Sequence, residues 1–96
     1  MKGIDALLIG TNDFMFECGL PGQFDHPKVR DAYARTIAAC RKHGKHVGVG
    51  GLATRPDLAA EFIAMGARLL STGTDIQFLS AAMAEKARQA REISVK

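Results

Sequence analysis

Short apolar runs alternate along the chain with longer stretches in which apolar residues return every three or four positions. The first run is Ala6–Ile9, wholly apolar as a strand covered on both faces should be, and it ends at Gly10. Beyond a glycine-bearing loop, Asp25 or His26 can cap a helix that Pro27 opens. Val29, Tyr33, Ile37 and Cys40 then form one apolar stripe, and Gly44 ends the helix. A second run, His46–Val49, breaks at Gly50-Gly51. Thr54 and Pro56 precede a second stripe of Leu58, Phe62 and Met65, which stops at Gly66. The third run, Arg68–Ser71, meets Gly73. From Asp75, read as the capping residue, a longer helix carries Ile76, Leu79, Met83, Ala87, Ala90 and Ile93 on one side.

Strand, glycine-bearing turn and helix, three times over, predict parallel strands joined by right-handed crossovers, an α/β sheet. A closed barrel of eight such units takes about 250 residues, or about 31 per unit. The 96 residues of the chain therefore match three βα units, three-eighths of a (β/α)₈ barrel, as one partial-barrel domain over residues 1–96. A free three-stranded parallel sheet would leave two open edges and bare faces. The alternative is a small open α/β domain that buries its edges in a dimer.

Composition narrows the function classes. Apolar residues make up 47% and charged residues 24%, and no apolar run is long enough to cross a membrane or to form the core of a signal peptide, so a cytoplasmic protein is expected. Cys18 and Cys40 match no zinc or redox spacing and read as free thiols. Charge is unevenly placed: Lys2 stands against Asp5, Asp13, Glu17 and Asp25 in the first 25 residues, whereas residues 26–46 carry Lys28, Arg30, Arg35, Arg41, Lys42 and Lys45 against Asp31. That basic stretch holds one aromatic, Tyr33, and no nucleic-acid-binding signature, and reads as a solvated helix face.

In parallel α/β proteins reactive groups collect at the carboxyl ends of strands. Those positions are Gly10-Thr11-Asn12-Asp13, Gly48 to Gly51, and Gly73-Thr74-Asp75. Asp13, beside the free amides of a short turn at Phe14 to Cys18, is a half-site for a divalent cation and an oxyacid; the bland reading is a helix-capping aspartate. Phe14, Met15 and Phe16 are expected either to line a water-excluding pocket or to pack against a neighbouring subunit. Gly50-Gly51 and Gly73 resemble the phosphate site of many barrels, but no Lys or Arg accompanies them. His43, His46 and Cys40 fall at the opposite end of the sheet, where His43 serves a helix terminus better than a metal.

The combination of Asp5-Ala6-Leu7-Leu8-Ile9-Gly10-Thr11-Asn12-Asp13, Gly19-Leu20-Pro21-Gly22-Gln23, His26-Pro27-Lys28-Val29, Gly44-Lys45 before Gly48, and Gly66-Ala67-Arg68 running to Gly73-Thr74-Asp75 resembles the HpcH/HpaI aldolases, the metal-dependent pyruvate aldolases related to citrate lyase. The resemblance covers nearly the whole chain and falls on the last three βα units and C-terminal helix of that family's barrel. It implies that Asp13 is one of two carboxylate ligands to Mg²⁺ or Mn²⁺, with Co²⁺ a further option, and that Asn12 and Asp13 bind the carboxylate of pyruvate or another 2-oxo acid. The implied reaction is reversible retro-aldol cleavage of a 4-hydroxy-2-oxo acid to pyruvate and an aldehyde, in a homo-oligomer whose last helix packs against a neighbouring barrel.

The second carboxylate ligand, an arginine for the oxyanion and a histidine with an acidic partner would all lie upstream, so the 96-residue chain by itself is expected to be inactive. Two positions depart from the pattern: many members have Pro-Ala where Thr11-Asn12 stands, and a large apolar residue where Gly50 stands. Two other readings remain open, a non-catalytic α/β fragment or oligomerising interaction module, and part of a phosphoenolpyruvate-utilising barrel, which Gly10-Thr11-Asn12-Asp13 also resembles.

Overall fold

The computed structural model describes residues 2–94. Elements follow in the order β1 (Ala6–Gly10), α1 (Thr11–Glu17), α2 (Pro27–Lys42), β2 (His46–Gly50), α3 (Pro56–Met65), β3 (Leu69–Leu70) and α4 (Asp75–Arg91). The strands form one parallel sheet in the order β1-β2-β3. Leu8 pairs with Gly48 and Gly48 with Leu69, while Ile9 pairs with Val49 and Val49 with Leu70. Strand neighbours in register share a face, so the sheet has two clearly different sides.

The helix-facing side is the core. Val47 and Val49 meet Val29, Tyr33, Ile37 and Cys40 of α2 and Leu58, Ala59 and Phe62 of α3, all buried, as both apolar stripes predict. Met65 is only half-buried and packs at the margin. Tyr33 and Phe62 stack with ring centroids 3.9 Å apart, joining the two helices over β2. Arg30 adds a bidentate ion pair to Glu61, with Nε–Oε1 at 2.7 Å and Nη2–Oε2 at 3.1 Å.

The other side is bare. Leu8 and Leu69 remain 59% and 52% exposed, and their side chains close over Gly48, where a Cβ would lie 2.8 Å from Leu8 Cδ1. A strand expected to be covered on both faces is therefore covered on one. The third strand pairs in register with β2 at Leu69 and Leu70, and the flanking Arg68 and Ser71 amides donate to the carbonyls of Val47 and Val49, each at 2.9 Å. The last helix repeats the pattern: α4 has no buried residue, and Ile76, Leu79 and Met83 are all more than half exposed. The radius of gyration is 17.5 Å, against about 12–13 Å for a compact chain of this length.

Local chemistry explains the element ends. His26 is the cap of α2, its Nδ1 accepting from the Lys28 amide at 3.1 Å. Gly44, at φ +67°, closes the same helix as its amide and that of Lys45 donate to the carbonyls of Arg41 and Cys40. One capping assignment is corrected. Thr74, rather than Asp75, caps α4 in a reciprocal box with Gln77, because the hydroxyl at that position reaches the third amide of the helix. At α3 the cap position is held by Arg55, which makes no side-chain capping bond.

Arg55 has other work. It bonds both carboxylate oxygens of Asp25, at 3.0 and 3.1 Å, and both of Asp57, at 2.8 and 3.0 Å, while its guanidinium lies 5.9 Å from the centre of the Phe24 ring. The loop before α2 is thus pinned to the start of α3. Hydrogen bonding to Arg55 holds the Asp25 carboxyl below the usual range and brings Asp57 to about 2.

Two outcomes are expected. Because one sheet face, both sheet edges and α4 lack cover, the 96-residue chain should sediment as an oligomer or larger assembly; a well-behaved monomer in analytical ultracentrifugation would contradict this reading of the bare surfaces. Folded-state values below the ordinary 3.8 mean that the clamp contributes fully above pH 3.8 and is lost as pH falls through about 2. Arg55→Gln should therefore raise the Asp57 midpoint toward 3.8 and move acid unfolding to higher pH by circular dichroism. Coincident acid transitions in parent and variant would remove the clamp.

Candidate functional site

All three strands end on the same side of the sheet, and β1 passes into α1 without an intervening loop, Gly10 being both the last strand residue and the helix cap. The helix thus begins at Thr11, three residues ahead of the short turn expected at Phe14. This early start puts Thr11, Asn12 and Asp13 on the first turn of a helix directly above the strand end.

Thr11 is buried and anchors that turn. Its hydroxyl donates to the Gly50 carbonyl at 2.5 Å, which leaves its oxygen to accept from the Tyr33 hydroxyl at 2.8 Å. Burial pushes the Tyr33 phenol upward in pKa, keeping it a proton donor. The chain from α2 through Tyr33 and Thr11 to the end of β2 was not foreseen. A lone tyrosine in an apolar helical stripe is the one sequence signal for it, since a buried phenol needs a partner.

Asn12 reaches the next strand end, its Nδ2 donating to the Gly51 carbonyl at 3.4 Å. Gly51 adopts φ +78°, and a Cβ there would lie 2.9 Å from Asn12 Nδ2 and 3.3 Å from the Asn12 amide nitrogen. The two strand-end segments approach so closely that only glycine fits. Asp13 is exposed and folds back toward the strand, its Oδ2 3.4 Å from where a Gly10 Cβ would stand. None of the ion pairs among the described residues engages it.

Between the strand ends lies a concavity of about 420 Å³ lined by Asn12, Phe24, Thr54, Ser71, Thr74 and Gln77, with glycines between. Its polar groups are the neutral side chains of Asn12, Thr54, Ser71, Thr74 and Gln77. Asn12 belongs to its wall and Asp13 does not. The expectation that Phe14, Met15 and Phe16 act together is corrected, because helical spacing sends them in three directions: Met15 is buried in the core, Phe14 packs at the core margin and Phe16 is 74% exposed. At the other end of the sheet His43 and His46 line different concavities. Among the described residues, no three His, Cys, Asp or Glu side chains are grouped to hold a metal. Cys18 and Cys40 are free.

Comparison with known proteins places this arrangement. The family model for HpcH/HpaI aldolase/citrate lyase matches residues 1–82. Over 80 residues, 83% of the chain, it is 38% identical to the 4-hydroxy-2-oxovalerate aldolase of Rhodococcus jostii, and over 86 residues, 90% of the chain, it is 33% identical to the 2-keto-3-deoxy-L-rhamnonate aldolase of Escherichia coli. The chain spans 30% and 32% of those relatives, about a third of their length. The crystal structure of an HpcH/HpaI aldolase/citrate lyase family protein from Burkholderia cenocepacia superimposes with a TM-score of 0.80 at 30% identity, over 95% of this chain and 35% of that one. An HpcH/HpaI aldolase from Desulfitobacterium hafniense gives 0.79 at 26% identity, over 97% and 36%. Three parallel βα units, the strand-end sequence Gly10-Thr11-Asn12-Asp13 and these matches agree: the chain belongs to the HpcH/HpaI aldolase/citrate lyase family.

Proposed function

We propose that the chain is the last three βα units and C-terminal helix of a metal-dependent aldolase barrel that cleaves a 4-hydroxy-2-oxo acid to pyruvate and an aldehyde, and that it is inactive in isolation. The observation that supports this best is the placement of Asn12 and Asp13 on a helix turn at a strand carboxyl end, in a family of aldolases.

The donor set fits a hard divalent cation in part. Asp13 offers exposed carboxylate oxygen, the ligand that Mg²⁺ and Mn²⁺ prefer, at the rim of the sheet. A single carboxylate fills one position of an octahedral shell, and no group of three His, Cys, Asp or Glu side chains completes one among the described residues. Asp13 would hold such an ion together with groups from further barrel units. When bound, the cation polarises the 2-oxo group of the substrate and stabilises the charge that bond cleavage leaves on the pyruvate half.

The remaining work falls to this chain's own groups. Thr11 and Tyr33 fix the turn that carries Asp13, so the carboxylate is held in place before substrate arrives. Asn12, bridging to Gly51, keeps two strand ends at a set spacing beside the substrate carboxylate. The protein is read as cytoplasmic and homo-oligomeric, with α4 seated on a neighbouring copy; no helix among the described residues is long and apolar enough to cross a membrane.

Assayed alone with 4-hydroxy-2-oxovalerate and excess Mn²⁺, the 96-residue chain should release no pyruvate. Joined to five preceding βα units of a family member it should, and there Asp13→Ala should reduce metal-dependent cleavage by about 10² or more, the scale of losing one stabiliser of developing charge, with the melting temperature unchanged. Full activity of that variant in excess Mg²⁺ or Mn²⁺ would remove Asp13 from the site.

A further inference from the structure

At the amino-terminal end of the sheet, between the end of α2 and the turn from α3 into β3, lies a second concavity of about 280 Å³. Its wall carries Arg41, Lys45, His46 and Arg68 over an apolar floor that includes Ile37 and Val47, and no carboxylate lines it. Arg41 Nη2 sits directly over Gly66, 2.8 Å from where a Cβ would stand, so the guanidinium faces into the hollow.

Helix C-termini attract cations, and two helices end here, but that need is already met. The Cys40 carbonyl accepts from the amides of His43 and Lys45, and the Arg41 carbonyl from Gly44. At the end of α3, Phe62 O accepts from Gly66 and Ala67, and Arg68 Nη1 donates to the carbonyls of Ile63 and Ala67, at 2.9 and 2.7 Å. None of the ion pairs among the described residues engages Arg41, Lys45 or Arg68. Three like charges therefore share one hollow without counter-charge, over an apolar floor that concentrates their field.

We propose that this hollow is a binding site for a small polyvalent oxyanion of phosphate type, held by Arg41 and Lys45 with the free edge of the Arg68 guanidinium. Its residues lie on α2, on β2 and on the turn from α3 into β3, all of which this chain contains. The site therefore stands independently of the aldolase reading. Inorganic phosphate and the phosphoryl group of a metabolite share this chemistry.

The test is calorimetric titration of the 96-residue chain, at fixed ionic strength, with inorganic phosphate and separately with glycerol 3-phosphate. Saturable binding is expected, weakened at least about tenfold in Arg41→Gln/Lys45→Gln and unchanged in Arg35→Gln, whose guanidinium pairs with Asp31 outside the hollow. Equal affinity for both probes identifies free phosphate as the ligand; tighter binding of the ester identifies a phosphorylated metabolite. Arg68 is left intact because it holds two backbone carbonyls. Should the double variant lose its circular dichroism signature, Lys45→Gln alone gives the same reading. Unsaturable binding, or an equal loss in Arg35→Gln, would show general charge attraction and overturn the site.

Discussion

A parallel sheet must be covered on both faces and closed or shielded at both edges, and this chain supplies one cover of the four. That single constraint organises the structure. On the helix-facing side Val47 and Val49 lie beneath α2 and α3, with the stacked Tyr33 and Phe62 rings at the centre. On the far side Leu8 and Leu69 flank Gly48 and stay more than half exposed. The gradient from a well-packed second unit to an uncovered α4 is what a consecutive piece of a closed barrel would show, since each strand of a barrel leans on neighbours to both sides.

The site inherits its order from the covered side. Tyr33 belongs to the α2 stripe that packs on the sheet, yet its hydroxyl emerges at the strand carboxyl ends and there meets Thr11 and the end of β2. The same packing that stabilises the helix layer thus fixes the turn bearing Asn12 and Asp13. Thr11 ties that turn through its hydrogen bonds to the Gly50 carbonyl and the Tyr33 hydroxyl. Phe24 and its loop are placed similarly, by Arg55 reaching across from α3.

Much of the fold was legible because periodicity reports burial. The stripe Val29-Tyr33-Ile37-Cys40 and the glycines at positions 44 and 66 mark a helix and its ends without reference to the rest of the chain. What was not legible depends on distant partners. Helical spacing at Ile76, Leu79 and Met83 gives an apolar face but not what covers it. The site was half legible: Asp13 stands out as an acid after a strand, whereas Thr11 acquires its role only when Gly50 and Tyr33, 39 and 22 residues away, close around it. Asp75 and Thr74 compete for one cap, and a one-residue choice of that kind is settled by hydroxyl reach, which spacing does not encode.

The bare inner face and open edges are the surfaces on which the barrel reading turns. Mixing the 96-residue chain with a separately expressed polypeptide of the first five βα units of a family member tests it directly, followed by amide hydrogen exchange. A one-to-one complex should form in which the amides of Ala6–Gly10 and Leu69–Leu70 become strongly protected. No association, or a complex that leaves those amides exchanging as in the chain alone, would contradict it.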